Sequence, residues 1–182
     1  MTLHDRRHTL ALMAAGLAAS AGGASAQAAD PAARLRALGI ELPKVAAPIG
    51  SYAPYVIDGR LLFISGQLPS KDGKLLATGR VPSEVNLATA QACARQSAIN
   101  ILAAAQAALG GDLGRIAACL KLTGFVACDP TFTEHPQVIN PASDLMREVF
   151  GDAGRHARAA VGVASLPLGA PVEIEAIFAI KG

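Results

Sequence analysis

The chain has 182 residues, 52% apolar and 16% charged, with 16 Lys+Arg against 14 Asp+Glu for a formal net charge of +2. That length supports one globular domain with a full core, and the apolar fraction excludes a disordered chain, because enough surface can be buried to offset the entropy of ordering. The small net charge, with no Lys/Arg cluster or aromatic-plus-basic stripe, gives no support for a nucleic-acid partner.

The first 26 residues read as an address. Arg6 and Arg7 form a positive region, Leu10 to Ala19 an apolar one, and Ala24-Ser25-Ala26 a small-residue cleavage site before Gln27. The alternative is an Ala-rich N-terminal helix. The paired arginines hint at twin-arginine export, although Asp5 and His8 fit that pattern poorly. The apolar stretch is too short to span a bilayer, and nothing later in the chain is long enough. The expectation is a soluble periplasmic or secreted protein with no membrane contact after cleavage.

Residues 27–48 read as an Ala/Pro-rich lead-in arm with a helical piece at Ala32 to Leu38, stopped by Gly39. Tyr52 to Val56 and Arg60 to Ser65 read as strands joined by a turn at Asp58-Gly59. After a Gly/Pro-marked connection, Ser83 is placed to cap a long Ala-rich helix running to Leu109, with Gly110-Gly111 as its stop. Residues 115–128 are apolar on both parities and predict a central strand ended by Asp129-Pro130. Ser143 to Phe150 predicts a shorter amphipathic helix. Two final strands, Arg158 to Ala164 and Val172 to Ile180, flank a turn at residues 167–171. This order predicts an α+β domain over residues 49–182, with a mixed sheet and two helices on one face.

Three cysteines are an awkward number for an oxidising compartment. Cys119 and Cys128 fall in one strand region, which would hold them about 30 Å apart, beyond disulfide reach. A Cys93–Cys119 bridge and three buried free thiols both fit, the second being preferred. No Cys/His ligand spacing occurs, so neither zinc nor any other metal is expected.

Parity in the last two strands carries the most information. Val172, Ile174, Ala176, Phe178 and Ile180 share one face, expected to meet the helices, while Glu173 and Glu175 point the other way. In the preceding strand Val161 and Val163 oppose Arg158, Ala160, Gly162 and Ala164. The expectation is that the small-residue side, with Arg158, belongs to an open apolar face. Such a face marks an interface, so an obligate oligomer is expected, with Arg158 and Glu173 near a subunit boundary.

Several short motifs occur together. They are Ile49-Gly50-Ser51-Tyr52, Ile64-Ser65-Gly66-Gln67-Leu68-Pro69, Ala94-Arg95-Gln96-Ser97 with Asn100, Arg158 with Val161 and Leu166-Pro167, and Val172-Glu173-Ile174-Glu175-Ala176-Ile177. In this order, from about residue 49 to the end, the chain resembles the RidA family of reactive-intermediate deaminases, the YjgF-like group. The resemblance implies a chorismate-mutase-like α+β protomer and a homotrimer with three clefts between subunits. It also implies hydrolysis of enamine and imine intermediates to a 2-oxo acid and ammonia, with no cofactor and a small carboxylate-bearing metabolite as partner.

On that pattern Arg158 clamps the substrate carboxylate and Glu173 holds and activates the attacking water. Tyr52, Ser65 and Gly66 match cleft positions, Gly66 where backbone approaches the ligand. Ala160 stands where a cysteine is common and would contribute through its backbone. A family asparagine near the start of the second helix falls at about Ser143, with an apparent insertion over residues 135–141. Ser165 replaces an arginine. His156 shares the parity of Arg158, but a lone histidine is more often a packing or surface residue, and His135 has no supporting partner. Two other function classes are weighed: a non-catalytic binder of small carboxylates, and a ribonuclease, which ranks last for want of paired histidines or a basic groove.

Overall fold

The computed structural model describes residues 30–45 and 50–182. The signal-peptide reading of residues 1–26, parts of the lead-in arm and Ile49 lie outside them. The elements are α1 (Pro31–Ala37), β1 (Tyr55–Asp58), β2 (Leu61–Gln67), β3 (Ser70–Lys71), β4 (Lys74–Leu75), α2 (Leu87–Ala108), β5 (Ile116–Ala127), α3 (His135–Phe150), β6 (Ala157–Val163) and β7 (Val172–Ile180). Five strands form one sheet in the order β1-β2-β7-β5-β6. Only β5 and β6 pair in parallel, so the expected mixed α+β sheet is present.

α2 and α3 cover one face of this sheet as expected, and α1, the helical piece expected over Ala32 to Leu38, packs against α3. Asp30 caps α1 by accepting from Ala32 N at 3.2 Å, and Leu35 buries its side chain in the core. The alternation in β7 works as expected: Val172, Ile174, Ala176, Phe178 and Ile180 are all buried. Phe178, Leu62 and Leu122 are fully enclosed, each contributing roughly 1.5–3 kcal/mol through loss of apolar surface from water. The cysteines are free and buried, with burial pushing Cys93 up to about 11 and Cys119 to about 12. They therefore behave as small core side chains.

Local chemistry explains where the boundaries differ from expectation. α2 is capped by Asn86, whose Oδ1 accepts from Thr89 N at 2.9 Å. Ser83 instead donates to Asp129 Oδ1 at 3.0 Å. The second helix starts at His135, eight residues before the expected Ser143, with Pro136 in its first turn and Pro141 inside it. Pro141 has no N–H to offer the Gln137 carbonyl one turn earlier. Gln91 Nε2 of α2 donates to that carbonyl at 3.0 Å instead, so a cross-helix side chain repairs the ladder that Pro141 breaks. The apparent insertion at 135–141 is thus the first two turns of α3.

The small-residue stripe of β6 requires a correction. Arg158, Ala160 and Gly162 align with Leu122, Gly124 and Val126 of β5, and Leu122 and Val126 are fully buried beneath the helices. Paired residues share a face, so Arg158, Ala160 and Gly162 lie on the α3 side rather than the open one. The close approach that small residues permit is that of α3. A Cβ on Gly124 would lie 2.5 Å from Ile139 Cδ1, and one on Gly162 2.6 Å from His135 Nε2. The open face carries Val161, Phe63 and Val56, which remain 42, 38 and 54% exposed, together with Glu173 and Glu175.

Candidate functional site

Glu173 sits near the start of β7, facing a cavity of about 1000 Å3 that also includes Tyr52, Ser65 and Gly66. Four of the residues expected to line the cleft therefore do meet. The register between β2 and β7 slips between Ile64 and Gln67, a bulge that places two residues opposite one and re-aims the strand. Gly66 lies in that bulge. A Cβ built on it would stand 1.8 Å from Glu173 Oε1 and 2.8 Å from Cδ, so the missing side chain is the seat of the carboxyl group. Gly66 serves Glu173 in this geometry, where the resemblance implied close approach to a ligand.

Burial raises the Glu173 pKa above 4.5, and the neighbouring Glu175 carboxylate raises it further. The surrounding contacts fix the rim. Ser65 Oγ donates to Ala53 O at 2.7 Å, tying the loop that carries Tyr52 to β2. Tyr52 is in this loop, not in β1, and is 47% exposed. Asn100 of α2 is buried and donates through Nδ2 to Leu68 O at 2.9 Å and Ser70 O at 3.0 Å. Gln96 Nε2 donates to its Oδ1 at 3.0 Å. Asn100 thereby pins the chain leaving the bulge, and β3 and β4 follow as a small hairpin across Asp72-Gly73, both at positive φ.

Gly66→Ala should leave the fold intact and displace the Glu173 carboxyl. A crystal structure of the variant checks the displacement, and a carboxyl in its original place would contradict it.

Arg158 lies elsewhere. It belongs to a second cavity, of about 380 Å3, lined by Ser143, Arg147, Arg155, His156 and Arg158. β5 separates β6 from β7, and Arg158 is level with Ala176, three residues along from Glu173. Two strand spacings and three residues of rise put the Cα atoms roughly 14 Å apart, and the side chains leave on opposite faces. One protomer does not bring the predicted pair together. Ala160 lines neither cavity; it packs against the core beneath α3.

The Arg158 guanidinium is held in one orientation. Nη1 donates to Asn140 Oδ1 at 2.9 Å and to Ser143 Oγ at 3.0 Å, using both of its hydrogens. The Nε and Nη2 hydrogens form the remaining edge, the parallel fork that matches a carboxylate. Ser143 passes the orientation on, since its Oγ is 3.1 Å from His156 Nε2 while His156 Nδ1 is 2.8 Å from Gly154 O. A carbonyl only accepts, so Nδ1 carries the proton and Nε2 accepts from the Ser143 hydroxyl. Burial lowers the His156 pKa and the Arg158 charge lowers it further, against an opposing effect of the Gly154 carbonyl. His156 is therefore neutral at pH 7, a support for Ser143 and through it for Arg158. Asn140 is a residue the sequence reading missed, because residues 135–141 read as an insertion and the helix was expected to begin only at Ser143.

Residues 32–179 match the family described as "YjgF/chorismate mutase-like, putative endoribonuclease". The chain belongs to the YjgF family. Among YjgF relatives, protein TCP17 of Trypanosoma cruzi is 48% identical over 151 residues, covering 82% of this chain and 94% of its own. A 2-iminobutanoate/2-iminopropanoate deaminase of Dermatophagoides farinae is 30% identical over 143 residues, covering 78% of this chain and 95% of its own. The crystal structure of Atu1372 from Agrobacterium tumefaciens superposes with a TM-score of 0.78 at 51% identity, covering 83% of this chain and 92% of that one. The RidA-like resemblance and the chorismate-mutase-like fold expected from the motifs are therefore those of the YjgF family.

Proposed function

We propose that this YjgF-family protein hydrolyses enamine and imine intermediates to 2-oxo acids and ammonia, in clefts formed between copies of the chain in a homotrimer. The observation that carries the reading is the seat of Glu173: a half-buried carboxyl of raised pKa, held over Gly66 in a cavity open to a small molecule. The imine-deaminase relative supports the reaction class. The partly exposed apolar face around Phe63 and Val161 supports a further copy as its cover.

Each site then takes Arg158 from one protomer and Glu173 from the next, which answers their separation within one chain. The free fork of Arg158 binds the α-carboxylate and orients the C=N carbon. The Glu173 carboxylate accepts a proton from water as the oxygen attacks that carbon, giving a carbinolamine. Glu173 passes that proton to nitrogen, then takes the carbinolamine hydroxyl proton and delivers it to the amino group as the C–N bond breaks, so that the carbonyl forms and ammonia leaves. An enamine first takes a proton at carbon to become the imine. The proposal includes export, on the N-terminal reading of residues 1–26.

A ribonuclease reading gains less, since His156, the one imidazole lining the Arg158 cavity, is committed to Ser143 and Gly154. The test is the formation of pyruvate from freshly generated 2-iminopropanoate. The wild-type protein should raise the rate above that in buffer, and an unchanged rate would contradict the proposal.

A further inference from the structure

The smaller cavity holds more positive charge than one carboxylate needs. Arg147, Arg155 and Arg158 all line it, no acidic residue does, and His156 adds no charge at neutral pH. Ser143 and Arg147 are four residues apart on α3 and so lie on one face of the helix, which brings Arg147 alongside the Ser143 hydroxyl that Arg158 grips. Arg155 meets Asp152 at 3.4 Å, but both side chains are largely exposed, at 71 and 98%, and such a pair is weak. Among the described residues Arg147 has no ion pair.

Three guanidinium groups converging on about 380 Å3 repel one another unless an anion lies between them. The Arg158 fork, once its Nη1 is spent on Asn140 and Ser143, takes one carboxylate and leaves Arg147 without an ion pair and Arg155 with only its exposed, weak contact to Asp152. We infer that the substrate carries a second anionic group: an imino acid with a further carboxylate at the end of its side chain, its α-carboxylate on Arg158 and its distal carboxylate on Arg147 with Arg155 beside it. This rests on the proposed imine hydrolysis and adds the substrate class. The side chain supplies the second charge: a distal carboxylate can pair with Arg147 and Arg155, whereas the methyl group of 2-iminopropanoate offers them nothing.

The experiment compares kcat/KM for 2-iminosuccinate, 2-iminoglutarate and 2-iminopropanoate, each generated in place from the parent amino acid and corrected for the rate in buffer. The wild-type protein should favour a dicarboxylate by about tenfold or more, as one charge-assisted fork provides. The preference should lie mainly in KM and shrink with added salt. Arg147→Gln and Arg155→Gln together should reduce the ratio to near one. Inhibition constants for succinate against propionate on the wild-type protein give the same comparison without any variant, succinate binding tighter. Turnover of 2-iminopropanoate at least as fast as that of both dicarboxylates would overturn the substrate class and leave imine hydrolysis standing. A preference that survives the double substitution would overturn the assignment to these arginines. If none of the three imines is turned over above buffer, the reaction class falls and this inference with it.

Discussion

Glu173→Gln should lower imine turnover by about 10²–10⁴-fold, the range over which a positioned proton-transfer group acts. KM should change little, because in the proposed site the substrate carboxylate is held by Arg158 and not by Glu173. The glutamine fills the seat over Gly66 and accepts a hydrogen bond, but at neutral pH it takes no proton from water. A protein that only binds carboxylates would respond differently, losing neither ligand nor function. The pH profile is part of the same expectation. Burial and Glu175 raise the Glu173 pKa above 4.5, and the base form is the active one, so activity should fall on acidification with a midpoint above that value.

Stability should move in the opposite sense. A carboxyl whose folded pKa is raised favours the fold while protonated, below about pH 4.5. That contribution is lost as pH rises through the higher folded value, after which the charged group is a liability to the fold. Glu173→Gln removes the liability. Its Tm should exceed that of the wild-type protein at pH 7, and the gap should close as pH falls below 4.5. Thermal melts across this range check the sign, and a lower Tm at pH 7 would contradict it.

Arg158→Ala should cost about 10²–10³-fold in kcat/KM, and Arg158→Lys should recover little of it. A carboxylate loses two parallel charge-assisted bonds with the guanidinium. Lysine keeps the charge but not the fork, and its ammonium has no second edge to present after meeting Asn140 and Ser143. Steady-state kinetics on both variants decide the matter. Near-wild-type kcat/KM in the lysine variant would mean that charge alone, not the planar edge, binds the substrate.

Much of this fold could be read from residue order. The alternation of β7 fixed which side meets the helices, and Glu173 and Glu175 point away from the core as their parity requires. The stop at Gly110-Gly111 is local chemistry and formed where expected, while the turn expected at Asp58-Gly59 sits one residue on, at Gly59 and Arg60, with Asp58 paired to Leu61. The errors came from long-range compensation. Pro141 is tolerated in α3 only because Gln91, on another helix, satisfies Gln137 O, and no local pattern announces that contact. Parity told which residues of β6 share a side, but not which side is open; that depends on the parallel register with β5 and on α3 lying over Gly124 and Gly162. Arg147 and Arg155, eight residues apart in sequence, likewise become neighbours only once α3 folds back along the start of β6.

Arg158 and Glu173 stand on opposite faces of one protomer's sheet, two strands apart, and a small imine reaches both only if they come from different copies. Mixed trimers assembled from Glu173→Gln and Arg158→Ala protomers, captured through a separate tag on each, test this directly. In a cyclic trimer a cleft is intact when its arginine comes from the first variant and its glutamate from the second. Each captured mixed trimer has one such cleft of its three, so the captured species should carry about one third of the wild-type sites, although each variant alone is nearly inactive. Mixed trimers no more active than the parent variants would mean that both groups act from the same chain, and would contradict the shared cleft.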